Sequence, residues 1–380
     1  MKIVHLCLSC FFIDNYSYQE NMLPKYHVKM GHDVTVIASL FSFNEKGQGC
    51  YLPEPSVKMD PNGFKVIRLA YKEPARLNRF FRRYQGVYAT LEQESPDLIF
   101  LHGLSMAENP TIIRYLRKHP NVKCFADQHG DFINSGKNFF SRRILHPLIW
   151  RYYVKKMEPF LQKCYGVTPM RCRFLTEVYK VNPKIVEFLP MGVDDDAIPQ
   201  DRALVRANIR KQLNIPEDAI VVLTGGKIDT LKNTHILIEA FKKINHPKLH
   251  LIICGVFTPQ MNYLKDELTE NIHYLGWCNS EQVMNHMVAS DLACFPGTHS
   301  TLWEQTVGVG LPAIFKRWNE MTHVDVDGNC VFVKGENVDE LQDVLVNFLE
   351  KDYRLDITQK AKAASHYFLY SNIAKHAIGV

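Results

Sequence analysis

The chain has 380 residues, 46% of them hydrophobic and 22% charged, with a formal net charge of +5. This is globular composition at a length for two ordinary domains, which excludes a disordered, collagen-like or disulfide-stapled protein, and no run reaches the ~18 uninterrupted apolar residues of a membrane span. The charge is unevenly divided, with 27 Lys+Arg against 16 Asp+Glu through Pro190 and 18 against 24 after it, so the first half suits an anionic partner unless the two halves simply attract each other.

The amino terminus, MKIVHLCLSCFFID, has no A-x-A-type cleavage site and runs at once into a helical pattern, so Lys2–Leu8 reads as a buried strand rather than a signal peptide. A helix over Tyr18–Met30, closed by Gly31, and a strand over His32–Ala38 follow. Strands are expected at Lys65–Leu69, Leu98–Leu101 and Lys123–Ala126, with helices near Leu77–Leu91 and Pro110–Lys118. The rhythm restarts after Pro190: strands at Ala219–Thr224, His250–Cys254, Asn271–Tyr274, Asp291–Phe295 and Leu311–Phe315, helices at Thr234–Ile244, Ser280–Ser290, from Trp303, and Val338–Leu349. Strands alternating with helices of this length mean parallel sheets built from βαβ units. The expected organisation is a domain over 1–195, a second over 196–355, and a helical segment over 356–380 packing back on the first. Ligands of such folds bind outside the carboxyl ends of the strands.

Ten cysteines, several in apolar runs such as Cys254 and Cys294, read as buried free thiols in a reducing, cytoplasmic compartment. Cys7 and Cys10 form a lone CxxC with no second pair, so no metal site is expected there.

Five stretches carry candidate chemistry. In residues 224–241 the strand is expected to end at Thr224, with Gly225, Gly226, Lys227 and Lys232 on a loop before a helix start. Free amides, the positive dipole end and two ammonium groups suit a diphosphate; the bland alternative is a tight turn with solvated lysines. In residues 294–315, Thr298, Ser300 and Thr301 offer hydroxyls, and Glu304 and Gln305 stand in the first turn of a helix. A carboxylate there suits a ribose diol or, equally, simply complements the dipole. In residues 125–136, Asp127, Gln128, His129 and Asp131 crowd a strand end, and His129 suits hydrogen bonding or proton transfer unless it merely caps a turn. The loop 13–22 offers Asp14, Asn15, Tyr18, Gln19, Glu20 and Asn21 to a polyhydroxylated ligand, and its lack of glycines argues against a dinucleotide cofactor. Residues 75–85 and 139–160 interleave Arg76, Arg79, Arg82, Arg83, Arg142, Arg143 and Arg151 with aromatics, which suits an interfacial helix on an anionic membrane, single-stranded nucleic acid, or core aromatics beside solvated basic faces.

Taken in order, these segments resemble glycosyltransferase family 4. GHDVTVIAS at 31–39, VTPM at 167–170, LPMGVD at 189–194, GGKIDTLKNTHILIEAF at 225–241, NIHYLGW at 271–277, SDLACFP at 290–296 and GVGLPAIF at 308–315 follow that family's sequence of motifs. YQENMLPKYHVKMGH and PGTHSTLWEQ look most like members of capsular or O-antigen polysaccharide synthesis. The resemblance implies a GT-B-like α/β fold, two Rossmann-like domains with parallel sheets facing across a cleft. It implies transfer of a hexose from a nucleotide-sugar to a glycan or polyprenyl-diphosphate-linked acceptor, retaining and without metal or other cofactor. The basic belt adds the expectation of a cytoplasmic protein peripheral on the inner face of the plasma membrane, and with no nucleic-acid motif beside the belt no nucleic acid is expected.

By position, the resemblance makes Gly226, Lys227, Lys232, Gly255, His299, Ser300, Thr301, Glu304 and Gln305 the donor side. His129 and Glu304 become the catalytic pair, and Asp14, Tyr18, Gln19 and Asn21 the acceptor or sugar side. The family's second Glu falls on Gln305, one residue after Glu304, and its first falls on Gly297 or Pro296, so the E-x7-E pair is incomplete. Two other functions share the architecture: a non-hydrolysing UDP-sugar 2-epimerase, and a non-catalytic GT-B subunit.

Overall fold

The computed structural model describes every residue except 45, 46, 137 and 319. The chain divides into two compact units, Met1–Pro190 together with Ile373–Val380, and Met191–Asn372.

In the first unit the strands are β1 (Lys2–Cys7), β2 (Asp33–Ser39), the short hairpin β3 (Phe41–Phe43) and β4 (Gly49–Tyr51), β5 (Ser56–Met59), β6 (Lys65–Leu69), β7 (Leu98–His102), β8 (Lys123–Gln128), β9 (Lys163–Gly166) and β10 (Val186–Phe188). Eight of them form one sheet in the order β10-β9-β8-β7-β1-β2-β6-β5. All pairings are parallel except β5 with β6. The central strands are apolar without alternation because helices cover both faces; every residue of β7 is buried. The strand order reverses between β1 and β7, which opens a crevice beyond their carboxyl ends.

The second unit holds β11 (Ile220–Ile228), β12 (Leu249–Phe257), β13 (Ile272–Gly276), β14 (Leu292–Phe295), β15 (Ala313–Lys316) and β16 (Cys330–Val333). They make one all-parallel sheet ordered β13-β12-β11-β14-β15-β16, with its reversal between β11 and β14. Leu237, Ile238 and Phe241 of the helix Thr234–Ile244 pack on Val222, Leu251 and Leu292 of the sheet.

Three sequence expectations change. β11 does not stop at Thr224: it continues through Gly225, Gly226 and Lys227, paired in register with Cys254, Gly255 and Val256 of a longer β12. The glycines serve this closeness. A Cβ at Gly225 would lie 2.2 Å from the Cys254 carbonyl oxygen, and one at Gly255 would lie 1.9 Å from that of Gly226. The helix expected over Leu77–Leu91 is two helices, Ala75–Phe81 and Val87–Glu94, broken by left-handed backbone at Arg82 (φ 55°) and Gly86 (φ 73°). The division between units falls at Pro190, and the helix Lys351–Ala364 belongs to the second unit, so only Ile373–Val380 of the expected terminal segment joins the first.

Gly255→Ala should destabilise the second unit by at least ~2 kcal/mol in urea unfolding, because backbone must move to admit the methyl group. Gly276→Ala, at φ 69° with nothing within 4 Å of its Cβ, should cost only the backbone strain, about 1 kcal/mol.

Candidate active site

At the reversal point of the second unit, three loops meet backbone to backbone. Lys232 ends a short turn, Thr230–Lys232, which Asp229 caps by accepting from the Leu231 amide at 3.0 Å. Gly297, just past β14, lies so close to this turn that a Cβ there would stand 2.3 Å from the Leu231 oxygen and from Lys232 backbone atoms. The Thr298 amide donates to the Leu231 carbonyl at 3.0 Å. Asn233, in left-handed backbone (φ 54°), donates its side-chain amide to the carbonyls of Pro296 (3.2 Å) and Gly335 (2.6 Å).

Lys232 is half-buried, and its ammonium donates to the carbonyls of Thr298 (2.6 Å) and His299 (3.4 Å). Burial lowers its pKa, opposed by the nearby Asp229 carboxylate. These carbonyls are neutral, and Lys232 makes no salt bridge among the described residues. Ser300 and Thr301 follow directly, at the start of the helix Leu302–Val309, where helix geometry leaves amides pointing outward. Lys232 and the hydroxyl-bearing turn therefore converge. Lys227 is exposed on β11, not on the loop with Lys232, and a Cβ at Gly226 (φ 103°) would lie 3.6 Å from Leu302 Cδ1. Gly255 serves strand packing.

Glu304 is fully buried. Its Oε1 accepts from His299 Nε2 and His323 Nε2, each at 2.8 Å, while Oε2 has no hydrogen-bond partner. Burial opposes ionisation, but the two imidazoles override it and hold the carboxyl well below the usual range. Glu304 thus points into the unit and organises His299, whereas Gln305 is only half-buried.

In the first unit, β7 and β8 bring His102 opposite Asp127, and His129 follows just beyond β8. Asp127 is fully buried; it accepts from His102 Nδ1 (2.9 Å) and from the Gly103 amide (3.1 Å). His129 Nε2 lies 3.3 Å from Asp127 Oδ2 and 3.9 Å from Glu20 Oε1, aligned with neither for a hydrogen bond. Burial opposes protonation of His129, but Asp127 and Glu20 raise its pKa. Arg171, in the helix Pro169–Glu177, donates from Nε to Asp131 at 3.2 Å and leaves Nη1 buried without a partner.

The loop before the helix Gln19–Lys29 is more occupied than its sequence implies. Asp14 pairs with Lys58 (2.8 Å) and Arg68 (3.2 Å). Asn21 donates to the Ile13 carbonyl at 2.9 Å. Tyr18 is exposed, and Gln19 is buried with neither amide atom bonded. Glu20, next to Gln19, is the residue that reaches His129. Sequence reasoning placed Asp127 and Glu20 in candidate stretches without giving either a role, and it passed over Arg171, whose signal was its position in the first turn of a helix.

Among the described residues three groups bring His, Cys or carboxylate atoms within 4.8 Å of one another. In Glu20–His102–His129, both His102 nitrogens are already hydrogen-bonded. In His299–Glu304–His323, each imidazole Nε2 already meets the same carboxylate oxygen. In Cys254–Cys278–His286, the Cys278 thiol lies 3.7 Å from the Gly276 carbonyl oxygen and burial pushes the Cys254 thiol up.

Two family models match this chain in succession: "Glycosyltransferase Family 4" over residues 23–197 and "Glycosyl transferases group 1" over residues 205–364. The chain belongs to glycosyltransferase family 4. A GDP-mannose-dependent monoacylated alpha-(1-6)-phosphatidylinositol monomannoside mannosyltransferase of Corynebacterium glutamicum is 22% identical over 186 residues, 44% of this chain and 48% of that protein. The matched chain thus spans about half the length of that curated relative. The sucrose-phosphate synthase of Thermosynechococcus elongatus aligns over 100% of this chain and 97% of its own, with TM-score 0.66 at 15% identity. A Listeria monocytogenes structure described as a UDP-N-acetylglucosamine 2-epimerase aligns over the same shares with TM-score 0.63 at 13% identity. The fold is GT-B.

Glu304→Gln should lower the unfolding free energy at pH 7.5 by about 2–4 kcal/mol, since a buried, doubly hydrogen-bonded carboxylate is lost. A depressed carboxyl contributes above its unfolded pKa and loses that contribution as pH falls. The gap between variant and parent in chemical denaturation should therefore narrow below pH ~4.5.

Proposed function

We propose that this protein transfers a hexose from a nucleoside-diphosphate donor to a glycan or lipid-linked acceptor of a surface polysaccharide, with retention of configuration and without a metal. The observation that carries the reading is the half-buried Lys232 ammonium, held by neutral carbonyls beside Ser300 and Thr301 at the strand-order reversal of the second unit. A nucleoside diphosphate seated there would place its phosphates against the ammonium, the hydroxyls and the first-turn amides of Leu302–Val309. These groups offset the charge that grows on the leaving diphosphate as the glycosidic bond breaks. Lys227, exposed on the neighbouring strand, would add a second positive charge.

His129 is the sugar-side group of the first unit. Its raised pKa, from Asp127 and Glu20, keeps it a hydrogen-bond donor at neutral pH. The family's first Glu falls on Gly297, which has no room for a Cβ, or on Pro296, so neither position offers a carboxylate for that role. Glu304 acts by holding His299 rather than by binding a ribose, which leaves Gln305 to face the nucleoside.

The acceptor side carries a basic, apolar surface. Phe139 and Leu148 are 75% and 62% exposed, with Phe80, Phe140, Ile144 and Tyr152 also exposed. Phe80 and Trp150 rings lie 6.4 Å apart, so the helix Ala75–Phe81 and the π-type helical turns of Ser141–Trp150 share one face. Arg76, Arg79, Arg83, Arg142 and Arg143 of these segments are exposed, Arg79 stacking 3.9 Å over the Tyr51 ring, while Arg82 is turned inward onto Ser9 (3.0 Å) and Ser105 (2.5 Å), and Arg151 is half-buried. Among the described residues no helix is long and apolar enough to cross a membrane. We place this face on the anionic cytoplasmic surface of a membrane, where a lipid-linked acceptor would present its phosphates.

Lys232→Ala should reduce sugar transfer at least ~100-fold and weaken nucleoside-diphosphate binding, if the ammonium is worth several kcal/mol in the transition state. Near-normal transfer would reject the phosphate role. The shared fold of the Listeria protein makes donor without acceptor the necessary control, since an epimer formed there would replace transfer by epimerisation. Vesicles of phosphatidylglycerol should sediment the protein, phosphatidylcholine vesicles should not, and Phe139→Ser with Leu148→Ser should release it from the former; equal binding to both lipids would refute the charged-surface reading.

A further inference from the structure

Behind Asp127 runs a line of buried imidazoles that the transfer reaction does not use. His5 on β1, His102 on β7 and His27 in the helix Gln19–Lys29 are all fully buried. Asp127 Oδ2 to His102 Nδ1, His102 Nε2 to His5 Nδ1, His5 Nε2 to His27 Nδ1, and His27 Nε2 to the Ala374 carbonyl oxygen are four consecutive gaps of 2.9 Å. Ala374 lies in the helix Tyr370–Ala377 and belongs to the first unit.

The proton count of this line is fixed by its far end. A carbonyl oxygen only accepts, so His27 Nε2 carries a proton, and each of the other three gaps needs one more. Four protons are required, and three neutral imidazoles supply three. The fourth makes either one ring an imidazolium or Asp127 a carboxylic acid. Asp127 has the surroundings of a carboxylate: the Gly103 amide donates to Oδ1, and His129 stands 3.3 Å from Oδ2. The extra proton therefore sits on a ring, and the ring beside the carboxylate is His102. In that arrangement His102 donates to both Asp127 and His5, His5 donates to His27, and His27 donates to Ala374, so no buried nitrogen in the line lacks a partner.

We propose that His102 is a positioning residue for His129: the acceptor-only end of the chain obliges it to stay an imidazolium, which keeps Asp127 a carboxylate and so fixes the charge that His129 faces. The part concerning His129 in sugar transfer rests on the functional reading above; the count itself does not. The direction of each ring's titration agrees. Burial opposes protonation throughout, yet Asp127 pushes His102 up to about 9, whereas burial and neighbouring imidazoles lower His5 and bring His27 down to about 4. The other titratable or charged groups acting on the line are Cys7 and Glu20 on His102, His32 on His27, and Glu20 and Arg171 on His129.

Substitutions at His27 test the count without touching the site. A glutamine accepts from His5 through its oxygen and donates to Ala374 through its amide, so His27→Gln keeps the requirement for the extra proton. His27→Leu removes it, because His5 then has nothing to donate to. In nitrogen-15 spectra of histidine-labelled full-length protein at pH 8, the parent and His27→Gln should each show one buried imidazolium, and His27→Leu none. The His129 midpoint should rise by about one pH unit in His27→Leu only, as a like charge is removed. A parent spectrum without a buried imidazolium overturns the proposal even if neither variant folds, as does a cation that survives in His27→Leu. If the cation disappears as expected but the pH profile of sugar transfer does not move, the count stands and the positioning role falls. Absence of transfer in every form with the spectra as expected instead refutes the proposed function and leaves the imidazolium in place.

Discussion

The second unit depends on backbone approaching backbone where side chains would ordinarily intervene. Gly225 and Gly255 let β11 and β12 stay paired beyond the point where parallel strands usually part, and Gly297 lets the loop after β14 lie against the Lys232 turn. Gly335, whose Cβ would fall 2.1 Å from the Pro296 oxygen, closes the same knot from a fourth direction. With the main chain this tight, the Lys232 ammonium bonds carbonyl oxygens, and the nearby Asp229 carboxylate acts on it only through space. The same tightness requires a glycine at 297, one of the two positions on which the resemblance would set the family's first Glu.

The first unit solves a different problem. It buries a carboxylate, Asp127, at the crevice end of a parallel sheet, where desolvation alone would make it neutral. Its charge survives because imidazoles and an amide surround it, and those imidazoles are in turn satisfied through helices that cover the sheet. A polar line of this kind is stable only when every member is paired.

Much of this was legible in the sequence, for identifiable reasons. Thr234–Ile244 and Lys65–Leu69 were readable to the residue because strong periodicity meets clear boundaries. The short strands β9, β10 and β16 were not, since three or four residues give no period to read. The turn at 298–301 was legible as a partner of Lys232 because small and hydroxylic residues bracketed a helix start. The direction of Glu304 was not, because nothing local distinguishes a first-turn carboxylate facing water from one facing two histidines, one of them nineteen residues away. Lys227 was misplaced onto the loop for a related reason: adjacent glycines usually signal a turn, and here they signal a close strand pair. The imidazole line joins residues 5, 27, 102 and 127, which no short-range pattern connects.

The chain enters the first unit at its beginning and returns to it at its close. Tyr165 donates its hydroxyl to the His376 carbonyl at 3.0 Å, and His27 meets Ala374. In genetic terms the second unit is therefore an insert, residues 191–372, carried inside a host whose two pieces are 183 residues apart along the polypeptide. Exchange of the second unit between relatives must move that cassette as a block, because a simple crossover after Pro190 would also replace Ile373–Val380, the segment that brings the Ala374 and His376 carbonyls to His27 and Tyr165.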